Sequence, residues 1–222
     1  MLSVIIPVYN EEGTVGVIIN IVNSLPIEKE IIVVNDCSKD GTVAILNSLS
    51  FNNLKVVHNS SKLGKGAAVR IGLGIAKGEF IIIQDADLEY DTNDYLKLLE
   101  AMNNQGIDIA LGARFTERYH GALLPKTGNR FLTGLMNLLF GTKLNDCFSC
   151  YKLMRRQSLL ELELKSNSFD IEIEILSKAI KKKMCILEVP ISYNPRSYKE
   201  GKKIKIRDGF WAVMRMLYLR FS

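Results

Sequence analysis

Residues 80–89 read FIIIQDADLE, an apolar run that ends directly in acidic residues at alternating positions. The run Phe80–Ile83 has no polar alternation, which is typical of a parallel strand buried on both faces. Ligands of open α/β sheets bind at the carboxyl ends of the strands. We therefore expect Asp85, Asp87 and Glu89 to lie at the ligand-binding edge of a parallel sheet.

Three similar runs precede this one, and helical patterns separate them. The runs are rich in Ile and Val, and they cover Ser3–Val8, Ile31–Val34 and Leu54–Val57. The segments between them predict helices at about Thr14–Ser24, Thr42–Leu49 and Ala67–Ala76. This alternation predicts an α/β fold with a central, mostly parallel sheet flanked by helices.

The pattern changes in the second half of the chain. A helix at Asn93–Asn103 and a strand at Asp108–Leu111 are followed by a segment with Gly, Pro and mixed charges, Phe115–Gly128, which we interpret as a mobile connection. Beyond it the sequence predicts further helices at Phe131–Phe140, Phe169–Lys182 and Gly209–Phe221, an extended stretch at Asp146–Met154, a strand at Met184–Val189 and a loop at Ser192–Lys203.

Composition limits the class of protein. The chain has 222 residues, of which 47% are hydrophobic, so it can form one sizeable core. Its four cysteines lack the extra ligands of a zinc site, since the only histidines are His58 and His120. Reduced cysteines, the lack of a leader pattern and the lack of an apolar stretch of ~18 residues predict a cytoplasmic protein without a transmembrane helix.

The acidic run after Phe80–Ile83 predicts a metal site. Three acids at this spacing repel one another unless a cation joins them. Mg²⁺ or Mn²⁺ fits, because these ions take one or two carboxylates and complete their coordination with phosphate and water. The alternative is an acidic helix-capping loop, since an isolated Asp-x-Asp is common by chance.

Motifs after the other strands favour ligand binding. Pro7 and Tyr9 follow the first strand, where the Tyr9 ring can stack on a base, and Asp36 follows the second, where it can accept a hydrogen bond from a base or ribose. Residues 62–66, KLGKG, combine glycines and a lysine at a helix start, which suits an anion. Neither a Walker A loop nor a dinucleotide fingerprint is present.

Taken in order, these motifs resemble glycosyltransferase family 2, and within it the dolichol-phosphate mannosyltransferase-like enzymes. The resemblance spans about residues 2–203 and rests on PVYNE (7–11), NDCSKDGT (35–42), KLGKG (62–66) and DADL (85–88). It implies the GT-A fold, a Rossmann-like fold of nucleotide-diphospho-sugar transferases. We accordingly expect a single domain over 1–222, with a nucleotide-sugar half (about 1–113), an acceptor half (about 114–203) and a C-terminal amphipathic helix (204–222).

The resemblance implies roles in binding a nucleoside-diphosphate sugar and a divalent cation, Mg²⁺ or Mn²⁺. Asp87 would be the main metal ligand and a catalytic residue, with Asp85 and Glu89 as further ligands; many relatives have Gln in place of Glu89. The residues assigned to the nucleotide are Pro7, Tyr9, Glu11, Asp36, Lys65, Asp85 and Ala86.

The resemblance also implies that the second half of the chain binds the acceptor. GARF (112–115) resembles a family motif whose arginine contacts the acceptor phosphate, and Arg196 with GKKI (201–204) resembles a loop that closes over the phosphates. Lys202 replaces the usual serine of that loop. The residues assigned to acceptor or phosphate are Arg114, Lys126, Arg196 and Lys203.

The role expected for Asp146 depends on the chemistry of the acceptor. A hydroxyl acceptor needs a general base, and an acid near Asp146 supplies it in relatives of that kind. A phosphate acceptor is already an oxyanion, and Asp146 would then hold the acceptor loop.

The main prediction is inverting, metal-dependent sugar transfer from a GDP- or UDP-linked sugar to a polyprenyl phosphate. The alternatives are the same chemistry onto a sugar or protein hydroxyl and, more remotely, a nucleotidyltransferase or a non-enzymatic nucleotide-binding module. No nucleic-acid partner is expected, because the basic residues are not spread along a groove-length surface.

The C-terminal part of the sequence is basic. Residues 181–222 contain eleven Lys or Arg against three acids, and the predicted helix Gly209–Phe221 adds Phe, Trp and Tyr. Such a helix can lie in a lipid interface, on the cytoplasmic membrane face or against a membrane partner subunit. The alternative is that its aromatic residues belong to the core.

Overall fold

The computed structural model describes residues 1–114, 123–196 and 206–222, without the side chains of 123–126 and 206–208. Its strands form one seven-stranded sheet in the order β3-β2-β1-β4-β6-β5-β7. The strands are β1 (Leu2–Val8), β2 (Lys29–Asn35), β3 (Leu54–His58), β4 (Phe80–Ile83), β5 (Ile109–Ala113), β6 (Lys152–Arg155) and β7 (Ile186–Pro190).

Strand directions confirm the mostly parallel sheet. Pairings β1–β2, β1–β4, β2–β3 and β5–β7 are parallel, whereas β6 is antiparallel to both β4 and β5. All strands except β6 therefore run the same way, and their carboxyl ends meet at one edge. Because β6 is reversed, its first residue, Lys152, lies at that same edge.

The central strands are buried on both faces. In β1, β2 and β4 the residues Val4–Ile6, Ile31–Val34 and Ile81–Ile83 are almost fully enclosed. Ile and Val suit this position because branched side chains pack well on a pleated surface. The uninterrupted apolar runs were therefore a reliable signal for the sheet.

The described residues contain helices α1 (Val15–Ser24), α2 (Thr42–Ser48), α3 (Lys65–Ile75), α4 (Asp94–Met102), α5 (Leu123–Phe140), α6 (Arg156–Glu161), α7 (Ile171–Lys181) and α8 (Ile206–Phe221). Helix α3 packs on β1 and β2, helix α4 packs on β5–β7, and α5, α7 and α8 pack on one another. None of the helices in the described residues is both long and apolar enough to cross a membrane.

The structure corrects two predicted elements and adds one helix. Helix α5 begins at Leu123, inside the segment predicted as a mobile connection; Pro125 is tolerated in its first turn, where an N–H has no intrahelical partner. Residues 115–122 of that segment lie outside the described part. In the stretch predicted as extended, 146–151 form no strand and only Lys152–Arg155 pairs with the sheet, and helix α6, which follows at once, was not predicted.

Candidate functional site

Turns at the carboxyl ends of β1, β2 and β4 bring the predicted site residues to one edge of the sheet. Each turn contains a non-glycine residue with positive φ: Asn10 (50°), Cys37 (61°) and Leu88 (61°). This left-handed conformation is unfavourable for residues with a Cβ and clusters at functional sites in proteins. Of the five such residues in the described part of the chain, three therefore lie at the edge that the motifs indicated.

Asp85 is paired with a buried lysine. Its Oδ1 lies 2.7 Å from Nζ of Lys65, the first residue of α3. Burial alone would raise the pKa of Asp85, but the charge and hydrogen bond of Lys65 lower it. Asp85 is therefore a charged group at this edge, while the contact of Lys65 with the nucleotide or diphosphate stays a prediction.

Asp87 is the acid with the most unusual pKa. Burial, together with the charges of Asp85 and Glu89, raises this pKa to about 7. The opposing influence is Arg196, whose Nη2 lies 3.4 Å from Asp87 Oδ2. A carboxylate surrounded by other carboxylates is a suitable ligand for a cation.

Glu89 holds the segment after β7. Its Oε2 accepts a hydrogen bond of 2.5 Å from the Tyr193 hydroxyl, and its Oε1 accepts one of 2.9 Å from the Arg196 amide. The Arg196 side chain turns back toward the acids, and its Nη1 lies 3.3 Å from Oε2 of Glu11. Arg196 thus lies among the carboxylates of Glu11, Asp87 and Glu89.

The predicted three-carboxylate metal set is not assembled. Among the described residues, no three acids, histidines or cysteines converge as ligands of one ion. The reason is that Asp85 is paired with Lys65, and both oxygens of Glu89 are bonded to the 193–196 segment. Asp87 still fits a Mg²⁺ or Mn²⁺ ion that takes one or two protein carboxylates and completes its coordination with phosphate and water.

Residues assigned to the nucleotide lie at the carboxyl ends of β1 and β4. Pro7 lies in β1 opposite Val34, and the Tyr9 ring has Lys62 Nζ 3.6 Å from its centroid. Ala86 is buried beside the acids. These residues lie near one another at the sheet edge, while their contact with a nucleoside stays a prediction.

Asp36 has a structural role at this edge. Its carboxylate accepts hydrogen bonds from the amides of Leu63 and Gly64, at 2.8 and 2.7 Å, and from the Asn59 side chain at 3.0 Å. These bonds fix the loop between β3 and α3. A contact between Asp36 and a base or ribose stays a prediction.

The glycines before and within α3 do not form the predicted anion cradle. The Gly66 and Ala67 amides donate to the carbonyl of Asn167, at 3.0 and 3.4 Å. A Cβ at Gly64 would lie 2.2 Å from Asn167 O, and one at Gly66 would lie 2.3 Å from Ser166 O. Gly64 and Gly66 therefore allow the 166–167 backbone to pack against α3, and the chain itself satisfies these helix N-terminal amides.

Arg114 and Asp146 form a buried ion pair on the acceptor side. Arg114 Nε lies 2.7 Å from Asp146 Oδ2, and Nη2 lies 2.9 Å from Oδ1. Asp146 is fully buried, and its Oδ1 also accepts a bond of 3.1 Å from Asn129. Burial would raise the pKa of Asp146, but the Arg114 charge and hydrogen bonds lower it.

Aromatic residues that the motifs did not predict connect the two halves of the site. The Tyr90 ring stacks on Tyr151 with centroids 4.5 Å apart, and lies 5.1 Å from the Tyr193 ring. The Arg114 guanidinium lies 5.0 Å from the centroid of Tyr193, whose hydroxyl bonds to Glu89. Tyr193 thus joins Arg114 to the acidic run.

Three charged residues near the site had been given no role from the sequence: Lys152, Glu172 and Glu188. Glu172 and Lys152 form an ion pair of 2.6 Å, and Glu188 accepts the amides of Asn145 and Asp146. A charge inside an otherwise apolar element is a usable signal, because charged side chains are rarely buried unless paired. Lys203 and the Lys126 side chain, both assigned to phosphate, lie outside the described part of the chain.

Comparison with known families agrees with this arrangement. The profile described as glycosyl transferase family 2 matches residues 3–162, well over half of the chain. The chain belongs to glycosyltransferase family 2. It is therefore an enzyme of the glycosyltransferase class, and the resemblance of its strand-end motifs is confirmed.

Two relatives match over nearly the whole chain. A polyprenol monophosphomannose synthase from Mycolicibacterium smegmatis is 31% identical over 228 residues, which cover 95% of this chain and 84% of that protein. A dolichol-phosphate mannosyltransferase from Pyrococcus furiosus is 32% identical over 211 residues, which cover 90% of this chain but only 58% of that protein. The family 2 chain described here thus spans little more than half the length of the second relative.

Solved structures confirm the GT-A fold. Glucosyl-3-phosphoglycerate synthase from Mycobacterium tuberculosis, in complex with UDP, superposes with a TM-score of 0.76 over 100% of this chain and 80% of that one. The sequence identity is 18%, so this likeness establishes the fold alone.

Proposed function

We propose that this family 2 enzyme transfers a sugar, with inversion, from a GDP- or UDP-linked donor to a polyprenyl phosphate. The observation that carries the proposal is the ion pair of Arg114 with Asp146. A hydroxyl acceptor needs a general base, and a carboxylate whose pKa is lowered by a bidentate arginine is a weak one. A phosphate acceptor needs no base, and instead needs cations near its oxygens.

The relatives support this acceptor. One is a polyprenol monophosphomannose synthase and the other is a dolichol-phosphate mannosyltransferase. The Arg114 side chain supplies a positive charge on the acceptor side. Lys126, Arg196 and Lys203 are assigned with it to the acceptor or donor phosphates. Asp146 is then a positioning residue that orients the Arg114 guanidinium.

The nucleotide-sugar donor would bind at the edge of the sheet where Asp85 and Asp87 lie. Solved structures of the glucosyl-3-phosphoglycerate synthase contain UDP with Mn²⁺ or Mg²⁺, which supports the same donor class and a divalent cation here. Asp87 would hold the cation, with Asp85 close by. When bound, the cation neutralises the charge of the departing diphosphate.

Residues of the chain would position the donor and the acceptor for the reaction. Tyr9, Glu11 and Asp36 are assigned to the nucleoside, while Tyr193 lies between Glu89 of the acidic run and Arg114. The acceptor oxyanion would attack the anomeric carbon from the face opposite the diphosphate. Arg196, beside Asp87, is placed to offset phosphate charge as the bond breaks.

Peripheral attachment to a membrane is part of the proposal. Helix α8 buries Ala212, Met216 and Leu219, whereas its aromatic residues Phe210, Trp211, Tyr218 and Phe221 are exposed. The exposure of these rings favours the interfacial interpretation of this helix over the core one. Helix α5, which packs on α8, exposes Phe131 and Leu138 to 70% and 81%.

Charge favours an anionic lipid surface for the same two helices. Residues 123–143 and 206–222 contain six basic residues, Lys126, Arg130, Lys143, Arg207, Arg215 and Arg220, against the single acid Asp208. Exposed aromatic side chains with basic flanks are typical of helices that lie in the lipid interface. Such attachment would place the enzyme beside a lipid-linked acceptor, on the cytoplasmic membrane face.

A donor screen tests the proposed chemistry. Binding of UDP and GDP is measured by titration calorimetry with Mn²⁺ and again with excess chelator. The proposal predicts that either UDP or GDP binds in the presence of Mn²⁺. It also predicts that excess chelator abolishes or strongly weakens this binding. Equal binding of both nucleotides with and without the metal would contradict the proposed donor site.

A further inference from the structure

Four alternating charges run from the acidic segment after β4 into the interior. Asp85 Oδ1 lies 2.7 Å from Lys65 Nζ, and the same Nζ lies 3.0 Å from Glu172 Oε1. The other oxygen of Glu172, Oε2, lies 2.6 Å from Lys152 Nζ. Glu172 therefore lies between the two lysines.

Burial increases along this line. The exposed fraction of the side chain is 25% for Asp85, 9% for Lys65, 7% for Glu172 and 0% for Lys152. Besides Glu172, the Lys152 ammonium donates to the carbonyl of Ser149. Because an unpaired buried charge is strongly destabilising, Lys152 depends on the carboxylate of Glu172.

The fold holds Glu172 at the right place to act on both lysines. It lies in the first turn of α7, where the helix dipole favours a negative charge. Lys65 is the first residue of α3 and Lys152 the first of β6, so three separate elements meet at Glu172. The glycines that let the 166–167 backbone pack on α3 bring this helix start close to Lys65.

Loss of the Glu172 charge would change the partner of Asp85. The cluster would then contain two ammonium groups and one carboxylate. Lys152 already acts on Asp85 through its charge. Asp85 would be drawn toward both lysines and away from the face where a donor would bind.

We infer that Glu172 is a positioning residue of the donor site, which neutralises Lys152 and thereby fixes the ion pair of Lys65 with Asp85. The inference rests on the proposed donor site. It concerns a residue that would not touch the donor, and it assigns the Lys152 charge a role in donor affinity.

Three variants of the full chain test it: E172Q, the double variant E172Q/K152M, and E30Q. Glu30 is a matched control, since it is a buried carboxylate paired with Lys55 at 2.6 Å and bonded to Ser3 and to the Lys77 amide, far from the strand carboxyl ends. The measurements are thermal stability and the affinity for UDP and GDP in the presence of Mn²⁺.

We expect E172Q to weaken nucleotide binding by about 10- to 100-fold, as for other residues that orient a ligand group. E172Q/K152M should recover most of that affinity, because one ammonium and one carboxylate remain. E30Q should lower stability and leave nucleotide affinity unchanged. The inference is overturned if E172Q binds like the wild type, or if the double variant binds no better than E172Q.

Crystal structures of the same proteins separate this inference from the proposed function. The Lys65–Asp85 ion pair should persist in E30Q and in E172Q/K152M, and should be broken or shared with Lys152 in E172Q. An unchanged ion pair in E172Q overturns the inference whether or not the wild type binds a nucleotide. Failure of the wild type to bind either nucleotide, with the expected rearrangement in E172Q, contradicts the donor assignment alone.

Discussion

Arg114 and Asp146 form a bidentate ion pair, in which the Nε–Oδ2 distance is 2.7 Å and the Nη2–Oδ1 distance is 2.9 Å. The Asp146 carboxylate is fully buried. The pair fixes the plane of the guanidinium, whose other neighbours include the Tyr193 ring. Asp146 therefore sets the direction of a cation on the acceptor side.

The first prediction is that Asp146→Asn acts through position and stability. Breaking a buried ion pair costs about 3–5 kcal/mol, so the variant should unfold at lower denaturant concentration. Folded protein should keep measurable transfer, with a raised KM for the acceptor and an unshifted pH profile of kcat. Glu188→Gln, which weakens the bonds to the backbone amides of Asn145 and Asp146 but leaves both side chains of the ion pair unchanged, is the control. A folded D146N protein that has lost kcat with an unchanged KM would indicate a general base.

The second prediction separates Asp87 from Glu89. Asp87→Asn should abolish the Mn²⁺-dependent part of nucleotide binding, because Asp87 is the carboxylate proposed to hold the ion. Glu89→Gln should retain metal-dependent binding, since both Glu89 oxygens are bonded to Tyr193 and Arg196. Calorimetric titration with Mn²⁺ and nucleotide measures both. Equal loss in the two variants would restore Glu89 as a metal ligand.

The third prediction concerns the glycines next to α3. A Cβ at Gly64 or Gly66 would lie within 2.3 Å of a backbone carbonyl oxygen of 166–167. Gly64→Ala and Gly66→Ala should each destabilise the protein by several kcal/mol, about the range of severe core changes. Gly74→Ala, in the same helix with open space around it, should be neutral or stabilising by up to about 1 kcal/mol. Urea unfolding of the three variants decides between these outcomes.

The fourth prediction is a pH dependence of stability from Glu30. Burial alone would raise the pKa of Glu30, but hydrogen bonds from Lys55, the Lys77 amide and Ser3 lower it to about 2 from 4.5. The stabilisation is thus complete above about pH 4.5 and is lost as the pH falls toward 2. It amounts to something on the order of 3 kcal/mol.

Urea unfolding at several pH values compares the wild type with Glu30→Gln. The wild type should be the more stable at neutral pH, and the difference should shrink as the pH falls below 4.5, the unfolded pKa of Glu30. A difference that does not change between pH 7 and pH 3 would show that Glu30 does not titrate in this way.

The fifth prediction concerns the exposed aromatic residues of α8. Trp211→Ser and Tyr218→Ser should reduce cosedimentation with vesicles that contain anionic lipid, because both rings are about two-thirds exposed. Val17→Ser on α1, which replaces an apolar side chain exposed to 47%, is the control. Equal binding by all three variants and the wild type would contradict a membrane role for α8.

The sheet and the donor-side motifs were predictable because their signals are local. Uninterrupted Ile and Val runs identify buried parallel strands, and the residue after each run lies at the edge where ligands bind. Asp85 and Asp87 could be placed in this way. The reversed strand β6 could not, because only four residues, Lys152–Arg155, carry its signal.

The interpretation of the glycines next to α3 was wrong for a physical reason. A glycine before a helix allows close approach of either an anion or another backbone, and the sequence does not distinguish them. Here the neighbour is 166–167, about a hundred residues away along the chain. Likewise, the pairing of Glu172 with Lys65 and Lys152 depends on three elements that meet only in the fold.

The most direct test of the account is a transfer assay with two acceptors that differ only in the nucleophile. The purified chain, Mn²⁺ and a labelled donor selected by the nucleotide screen are incubated with a polyprenyl phosphate or with the polyprenol of equal length. The account predicts a labelled polyprenyl-phosphate sugar of inverted anomeric configuration, sensitive to chelator, and no product from the polyprenol. Transfer to the polyprenol at a comparable rate, or transfer to the phosphate with retained configuration, would contradict it.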